Sequence, residues 1–359
     1  MVNLKSYKLS AFHEIYTAQI VSDISRKARS DAGLEILRQI LTATNEHYAI
    51  ERIHLDKCLG FAKNHNGIDA DRLRRLTDPP NYAAWKAVHN ELLVPYFFSK
   101  VFNLNIQFVI SPEEKGIGDF QINQSDGKIY VEVKTPKGDD PDCQGSRERA
   151  HWGFDEHLIR PSFLEGAKQL KRGNKNLIVI CTQLCAWIHD ESPFERLLYG
   201  QEVITSQLDT KIGKVVGSPH LEFHPDGEFN RHRPARYSRV SAIASFRNDC
   251  YLGLPFSDLE QQVQFTVFHN YFAICQIDPD IFSMAEQFIP DKEQETIKHI
   301  RPNNRTLLIY ITDSLFVCFL IRSRSFLYDV FRMMRRVYYR FRFRRAIRDR
   351  INQKKETSF

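Results

Sequence analysis

The sequence has few cysteines, and their positions argue against the sites that cysteines usually build. There are seven, scattered from Cys58 to Cys318, and they form no repeated CxxC pair. A zinc site of paired cysteines is therefore not indicated, and a reducing compartment fits best. The N-terminal residues also lack the apolar stretch and the small-residue cleavage site of a secretory signal. We expect a cytoplasmic protein.

A membrane-spanning run is also missing. The most apolar stretch, 306–321, is shorter than the ~20 residues that a span requires, and Asp313 lies at its middle. We predict a buried hairpin that turns at Thr312 and Asp313. With 359 residues, of which 42% are apolar and 26% charged, the chain can bury a large core as a soluble globular protein.

Charge is distributed unevenly along the chain. The net charge is +6, but residues 322–359 contain eleven Arg and two Lys against three acidic residues, which is +10 and leaves −4 for the rest. Apolar residues from Phe326 to Phe341 follow helical spacing among these arginines and predict a basic amphipathic helix. Such a helix can bind nucleic-acid phosphates, lie on an anionic membrane, or pack its apolar stripe on the body of the protein. Of these possibilities, we rank first a helix that packs on the body of the protein and also contacts nucleic acid. We expect no membrane association.

The apolar spacing indicates three regions. Residues 1–80 form an N-terminal helical region, which ends at the turn Thr77-Asp78-Pro79-Pro80 because consecutive prolines disfavour helix. Residues 81–300 form the main domain, and residues 301–359 hold the apolar hairpin and the basic extension. The main domain begins with a helix that contains Glu91, and Pro95 is expected to kink or end that helix.

Short strands follow this first helix. We predict strands at 105–110, 119–123 and 128–135, a helix at 161–171, and a continuous apolar strand at 177–181. Two further stretches, 240–246 and 263–269, could extend the sheet. Because a continuously apolar strand is buried on both faces, the order α-β-β-β-α-β predicts an α/β fold whose mixed sheet is flanked by helices on both sides.

The dipeptide Asp126-Gly127 between alternating residues is a strong hairpin signal. With these two residues as the loop, Asp119 faces Lys134 and Gln121 faces Glu132. The alternation then places four apolar residues on one face: Phe120, Ile122, Val131 and Val133. The opposite face carries four polar residues: Asp119, Gln121, Glu132 and Lys134.

Two carboxylates on adjacent strands repel each other, and a divalent cation removes that cost. Mg²⁺, or Mn²⁺ in its place, suits Asp119 and Glu132 together with a main-chain carbonyl, which we expect to be that of Val133. Lys134 could orient or deprotonate a water molecule, or neutralise charge that accumulates on phosphorus. The indicated reaction is phosphodiester hydrolysis. The alternative is a surface hairpin with an Asp119–Lys134 ion pair, which leaves Glu132 unexplained.

These residues resemble the signature of the PD-(D/E)XK nuclease superfamily. Gly118-Asp119-Phe120 is followed by Val131-Glu132-Val133-Lys134, and the resemblance covers about residues 82–182. Gly118 stands where the name of the family has proline. The resemblance implies a restriction-endonuclease-like fold, in which the aspartate and glutamate bind metal and the lysine assists the nucleophile.

The resemblance implies two further residues. Glu91 matches the glutamate of the first core helix that often completes the site. Gln169 resembles the glutamine that several repair and recombination branches of the superfamily place beside the catalytic lysine.

A long polar loop is expected at 137–160, directly after the catalytic strand. It could bind nucleic acid, with Lys137, Arg147 and Arg149 on phosphates and Trp152 stacked on a base. It could equally be a solvated loop in which Trp152 packs as an anchor. The sequence as a whole predicts a Mg²⁺-dependent nuclease that acts on nucleic acid, with DNA as the expected substrate and no small-molecule cofactor. The alternatives are a non-catalytic nucleic-acid-binding module and a membrane-surface protein that uses its basic tail.

Overall fold

The computed structural model describes residues 8–42, 46–110, 117–136, 156–182, 192–200, 202–209, 214–223, 227–229, 237–248, 263–290 and 297–300. The predicted apolar hairpin and the basic helix lie outside these residues, as do Lys137, Arg147, Arg149 and Trp152. The chain divides into a compact unit of residues 1–302 and a second unit of residues 303–359. All of the described residues belong to the first unit.

The N-terminal part of the chain is helical, as predicted. Among the described residues, six helices precede the first strand: α1 Ser10–Ile15, α2 Ala18–Lys27, α3 Ala32–Thr42, α4 Glu46–Asn64, α5 Ala70–Thr77 and α6 Tyr82–Val101. The predicted turn at Thr77 is confirmed, and Asn81 caps α6 by accepting a hydrogen bond from Ala84 N at 2.9 Å. Pro95 does not end α6, which continues for six more residues.

The strands that follow form one large sheet and one separate hairpin. The large sheet consists of β1 Asn105–Phe108, β2 Phe120–Gln124, β3 Gly127–Lys134, β4 Lys175–Cys181, β7 Ala242–Asn248, β8 Val263–His269, β9 Glu286–Pro290 and β10 Ile297–Ile300. They lie in the order β1-β2-β3-β4-β7-β8-β9-β10. The hairpin consists of β5 Glu202–Asp209 and β6 Lys214–Phe223.

The large sheet is mixed, as predicted. β4 is parallel to both β3 and β7, and β8 is parallel to β9, whereas the other neighbours are antiparallel. In the part of the chain that the structure describes, two α-helices follow β3: α7 Glu156–Gln169 and α8 Ser192–Tyr199. The order α6-β1-β2-β3-α7-β4 therefore confirms the predicted α-β-β-β-α-β sequence of elements. The prediction of a loop up to residue 160 is wrong, because α7 already begins at Glu156.

Strand β4 shows how the sheet lies between two layers of helices. Its side chains alternate between two apolar clusters, and Leu177 and Val179 pack with α6 and the N-terminal helices. Ile178 and Ile180 pack instead with α7 and α8. All four side chains are fully buried. The molecule is therefore an α/β protein with helices on both faces of its sheet. No helix among the described residues is long and apolar enough to cross a membrane.

The register of the β2–β3 hairpin differs from the predicted one. Phe120 pairs with Val131, and the loop consists of Ser125 and Asp126, because Gly127 pairs with Gln124. Gly127 has a φ of +129°, which glycine adopts readily, so it closes the hairpin within the ladder. The predicted facing of Asp119 with Lys134 and of Gln121 with Glu132 is therefore wrong. The shift amounts to two residues, and each side chain consequently keeps its predicted face.

Candidate metal centre

Asp119 lies at the entrance to β2 in an irregular piece of backbone. Its N–H donates to Val131 O at 2.8 Å, and its Oδ2 accepts from Val133 N at 2.7 Å. The preceding Gly118 has a φ of +76°, and a Cβ there would lie 2.3 Å from Val131 O. Neither proline nor any other side chain fits at position 118. A glycine at this position is thus required by the way in which Asp119 meets β3.

Asp119 lies in an environment that disfavours its negative charge. Its side chain is 20% exposed. Burial raises the pKa of Asp119 well above its ordinary value, and the negative charges of Glu132 and Glu91 raise it further. The hydrogen bond from Val133 and the charge of Arg72 offset this only in part. Asp119 is therefore a carboxylate whose charge the protein neutralises incompletely.

Glu132 is subject to the same effects but has a closer partner. Its side chain is 8% exposed, and its Oε1 lies 2.8 Å from Lys134 Nζ. Burial raises the pKa of Glu132, the ion pair with Lys134 lowers it, and the charges of Glu91 and Glu165 raise it again. The net shift of the pKa is upward. The charge of Glu132 thus disfavours the ionisation of Asp119 at one end of the hairpin.

Helix α7 supplies the surroundings of Lys134. The ammonium lies 2.7 Å from Gln169 Oε1 and 3.4 Å from Glu165 Oε1, in addition to its pair with Glu132. Burial lowers the pKa of Lys134, but the charges of Glu132, Glu165 and Asp119 outweigh burial and raise it. Lys134 therefore remains charged at neutral pH, and three oxygen atoms fix its position.

Glu91 lies near these groups but has partners of its own. Its Oε1 is 3.0 Å from Arg75 Nη1, and its Oε2 is 3.1 Å from Arg75 Nη2 and 3.3 Å from Arg72 Nε. Arg72 also reaches Asp119, with Nη2 3.3 Å from the main-chain oxygen and 4.0 Å from Oδ1. Two arginines of α5 therefore surround the carboxylate that the resemblance assigns to the metal.

The donor set fits a small divalent cation. Asp119 and Glu132 provide hard oxygen ligands in a place where an added positive charge would remove their mutual repulsion. Among the described residues, no three His, Cys, Asp or Glu side chains are grouped so that they could hold a metal ion. A cation here would thus be held by two carboxylates, a main-chain oxygen such as that of Val133, and water or substrate oxygens.

The structure brings together Asp119, Glu132, Lys134 and Gln169, and it places Glu91 with the arginines. Sequence reasoning missed three neighbours of the site: Arg72, Arg75 and Glu165. Glu165 precedes Gln169 by four residues and so lies on the same face of α7, which could have identified it. The two arginines lie on α5, which contains no predicted site residue whose helical spacing could have identified them.

No protein-family model, no curated protein and no solved structure matches this chain. The resemblance to the PD-(D/E)XK superfamily, drawn from the sequence, therefore stays a prediction.

Proposed function

We propose that the protein is a metal-dependent nuclease of the PD-(D/E)XK type with a restriction-endonuclease-like core, and that it works in a reducing cytoplasm. One observation carries the proposal: two buried carboxyl groups with raised pKa values, Asp119 and Glu132, adjoin a lysine held by Gln169 at 2.7 Å. Destabilised carboxylates beside a fixed ammonium are typical of a functional site, because folding alone gains nothing from them.

The chemistry follows from the charges of the residues. A bound Mg²⁺ or Mn²⁺ would polarise a phosphate oxygen and lower the pKa of a water molecule. Asp119 and Glu132, with the main-chain oxygen of Val133, would hold that cation. Lys134 remains an ammonium because its pKa is raised. Of the roles open to it, we therefore favour orienting the attacking water and neutralising charge on the phosphorus over deprotonation.

Nucleic acid, with DNA first, is the proposed substrate. The support is the charge of the sequence, since the basic extension and the loop after β3 hold the arginines that could bind phosphates. In this proposal Lys137, Arg147 and Arg149 contact the backbone, and Trp152 stacks on a base.

A non-catalytic nucleic-acid-binding module is the second candidate. The observation in its favour is Arg72, whose guanidinium approaches Asp119 Oδ1 to 4.0 Å and supplies a permanent positive charge. In such a module the arginine would take the place of a metal. The incomplete neutralisation of Asp119 favours the nuclease.

The test is a cleavage panel of single- and double-stranded DNA and RNA with Mg²⁺ or Mn²⁺. We expect the wild-type chain to cleave at least one substrate, and we expect Asp119→Ala and Lys134→Ala to abolish cleavage without unfolding the protein. Lys168→Ala is the matched control, since Lys168 is an exposed lysine of α7 outside the site. Wild-type protein that cleaves nothing in the panel, or an active Asp119→Ala variant, would refute the nuclease.

A further inference from the structure

The hydrogen bonds of Glu91 are those of a counter-ion. Arg75 binds both of its carboxylate oxygens, at 3.0 and 3.1 Å, and Arg72 Nε binds Oε2 at 3.3 Å. Bidentate contacts between guanidinium and carboxylate are among the stronger charge-assisted hydrogen bonds. A divalent cation at Glu91 would have to displace these bonds and lie beside two fixed positive charges.

Arg72 in turn requires Glu91. The side chain of Arg72 is only 5% exposed, and that of Glu91 is 12% exposed. A guanidinium group cannot give up its proton in a protein, so burial does not neutralise it. Removing Glu91 would leave this buried guanidinium with only the contacts to Asp69 Oδ2 at 3.4 Å and Asp119 Oδ1 at 4.0 Å, which is destabilising. The charge of Glu91 is therefore already needed for folding around Arg72.

Arg72 connects Glu91 to the main chain of Asp119. Its Nη2 lies 3.3 Å from Asp119 O, and its Nη1 lies 3.3 Å from Gly67 O and 3.4 Å from Val109 O. The N–H of Val109 donates to the same Asp119 oxygen at 3.1 Å. One guanidinium thus ties the loop before α5, the end of β1 and the entrance to β2. The position of Asp119 depends on it.

We propose that Arg72, Arg75 and Glu91 form an arginine clamp, in which Glu91 is the counter-ion and Arg72 positions Asp119, and that the divalent cation is bound without Glu91. The inference rests on the proposed nuclease function. It departs from the role that the resemblance assigns to Glu91, since it makes Glu91 a positioning residue. It also makes α5 part of the site.

The first experiment measures Mn²⁺ binding to the full chain by electron paramagnetic resonance, a readout that does not depend on cleavage. We expect Glu91→Gln to change the Kd for Mn²⁺ by no more than about threefold, because only a nearby charge is lost. Asp119→Asn is the comparison variant, and its Kd should rise at least about tenfold, because a ligand is lost. A tenfold or greater rise in Glu91→Gln would overturn the inference.

The second experiment measures thermal unfolding without metal. Glu91→Gln and Arg72→Met should each lower the Tm by about 5 °C or more, and the double variant should lower it by less than the sum of the two shifts. Arg74→Met is the matched control, because Arg74 lies on the same helix but its side chain is 63% exposed; its Tm should stay within about 1 °C. If Arg72→Met does not fold, the Tm of Glu91→Gln alone decides, and an unchanged Tm would overturn the clamp.

The two proposals fail in different ways. Wild-type protein that binds no Mn²⁺ would refute the nuclease and, with it, the metal part of the inference. Wild-type protein that binds Mn²⁺, together with a tenfold loss in Glu91→Gln, would refute only the inference.

Discussion

Replacing Asp119 by asparagine should make the metal-free protein more stable. The asparagine side chain would keep the acceptor that Val133 N bonds at 2.7 Å, and its amide could donate to a neighbouring carboxylate. The change removes a carboxyl group whose pKa is raised by burial and by the charges of Glu132 and Glu91. Substitutions that relieve unfavourable interactions of this kind at functional sites contribute about 0.5–2 kcal/mol. At roughly 2 °C for each kcal/mol in a large domain, we expect the Tm to rise by about 1–4 °C.

The pH dependence of this gain has a definite sign. A carboxyl group whose pKa is raised in the folded state destabilises the fold when it is ionised, and this penalty shrinks as the pH falls from the folded pKa to the unfolded pKa. The difference in Tm between Asp119→Asn and wild type should therefore be largest near pH 8. It should shrink as the pH falls towards about 4, the ordinary range of aspartate.

Metal should act against this difference, because it stabilises the wild type more than Asp119→Asn. A cation at ten times its wild-type Kd stabilises the wild type by about 1.4 kcal/mol, whereas Asp119→Asn, with a Kd at least tenfold higher, should gain no more than about 0.4 kcal/mol. Scanning calorimetry with and without Mg²⁺ measures both effects. Asp126→Asn is the control, because Asp126 is an exposed aspartate of the same hairpin and the response of this variant to metal should match that of the wild type. An Asp119→Asn variant that is less stable than wild type without metal at pH 8 would refute the argument.

Three further predictions test the parts around the site. Gly118→Ala should lower the free energy of unfolding by more than about 2 kcal/mol in denaturant titration, because its Cβ would lie 2.3 Å from Val131 O at a φ of +76°. A decrease below about 0.5 kcal/mol, which is typical of a surface substitution, would contradict this. Phe98→Ala should cost about 3–5 kcal/mol in the same assay, since the ring is fully buried among aromatic neighbours. Gln169→Ala should lower kcat about tenfold while circular dichroism stays unchanged, because Lys134 loses its contact at 2.7 Å; an unchanged kcat would remove Gln169 from the site.

The fold was predictable where the apolar pattern alone decided it. Strand β8 Val263–His269 coincides with the predicted stretch, and the helices before residue 80 follow from regular apolar spacing. The hairpin β5–β6, strand β9 and the edge strand β10 were missed. β10 has a burial pattern without a fully buried position, so its sequence carries little of the alternation that identifies a strand. The start of α7 was missed because proline favours the first position of a helix, whereas Pro161 lies inside α7.

Only those parts of the site that depend on local sequence patterns could be predicted. The faces of β2 and β3 follow from alternation, which survives the two-residue shift in register. The contact of Lys134 with Gln169 was expected only from the resemblance to PD-(D/E)XK nucleases, and not from the sequence pattern itself. Arg72 could not be found, because it is 19 residues from Glu91 and 47 from Asp119, and no periodicity relates helices to strands at such distances.

The charges of the site suggest which carboxylate distinguishes a nuclease from a binding module. Glu91 is neutralised by two arginines, and Glu132 has Lys134 at 2.8 Å. Asp119 has one main-chain N–H and a guanidinium nitrogen at 4.0 Å. Of these three carboxylates it is the one least satisfied by the protein, so a cation from outside would interact with it most favourably. In a module that only binds nucleic acid, asparagine at position 119 would increase stability without any loss of function. The stability of wild type and Asp119→Asn with and without metal therefore distinguishes the two functions.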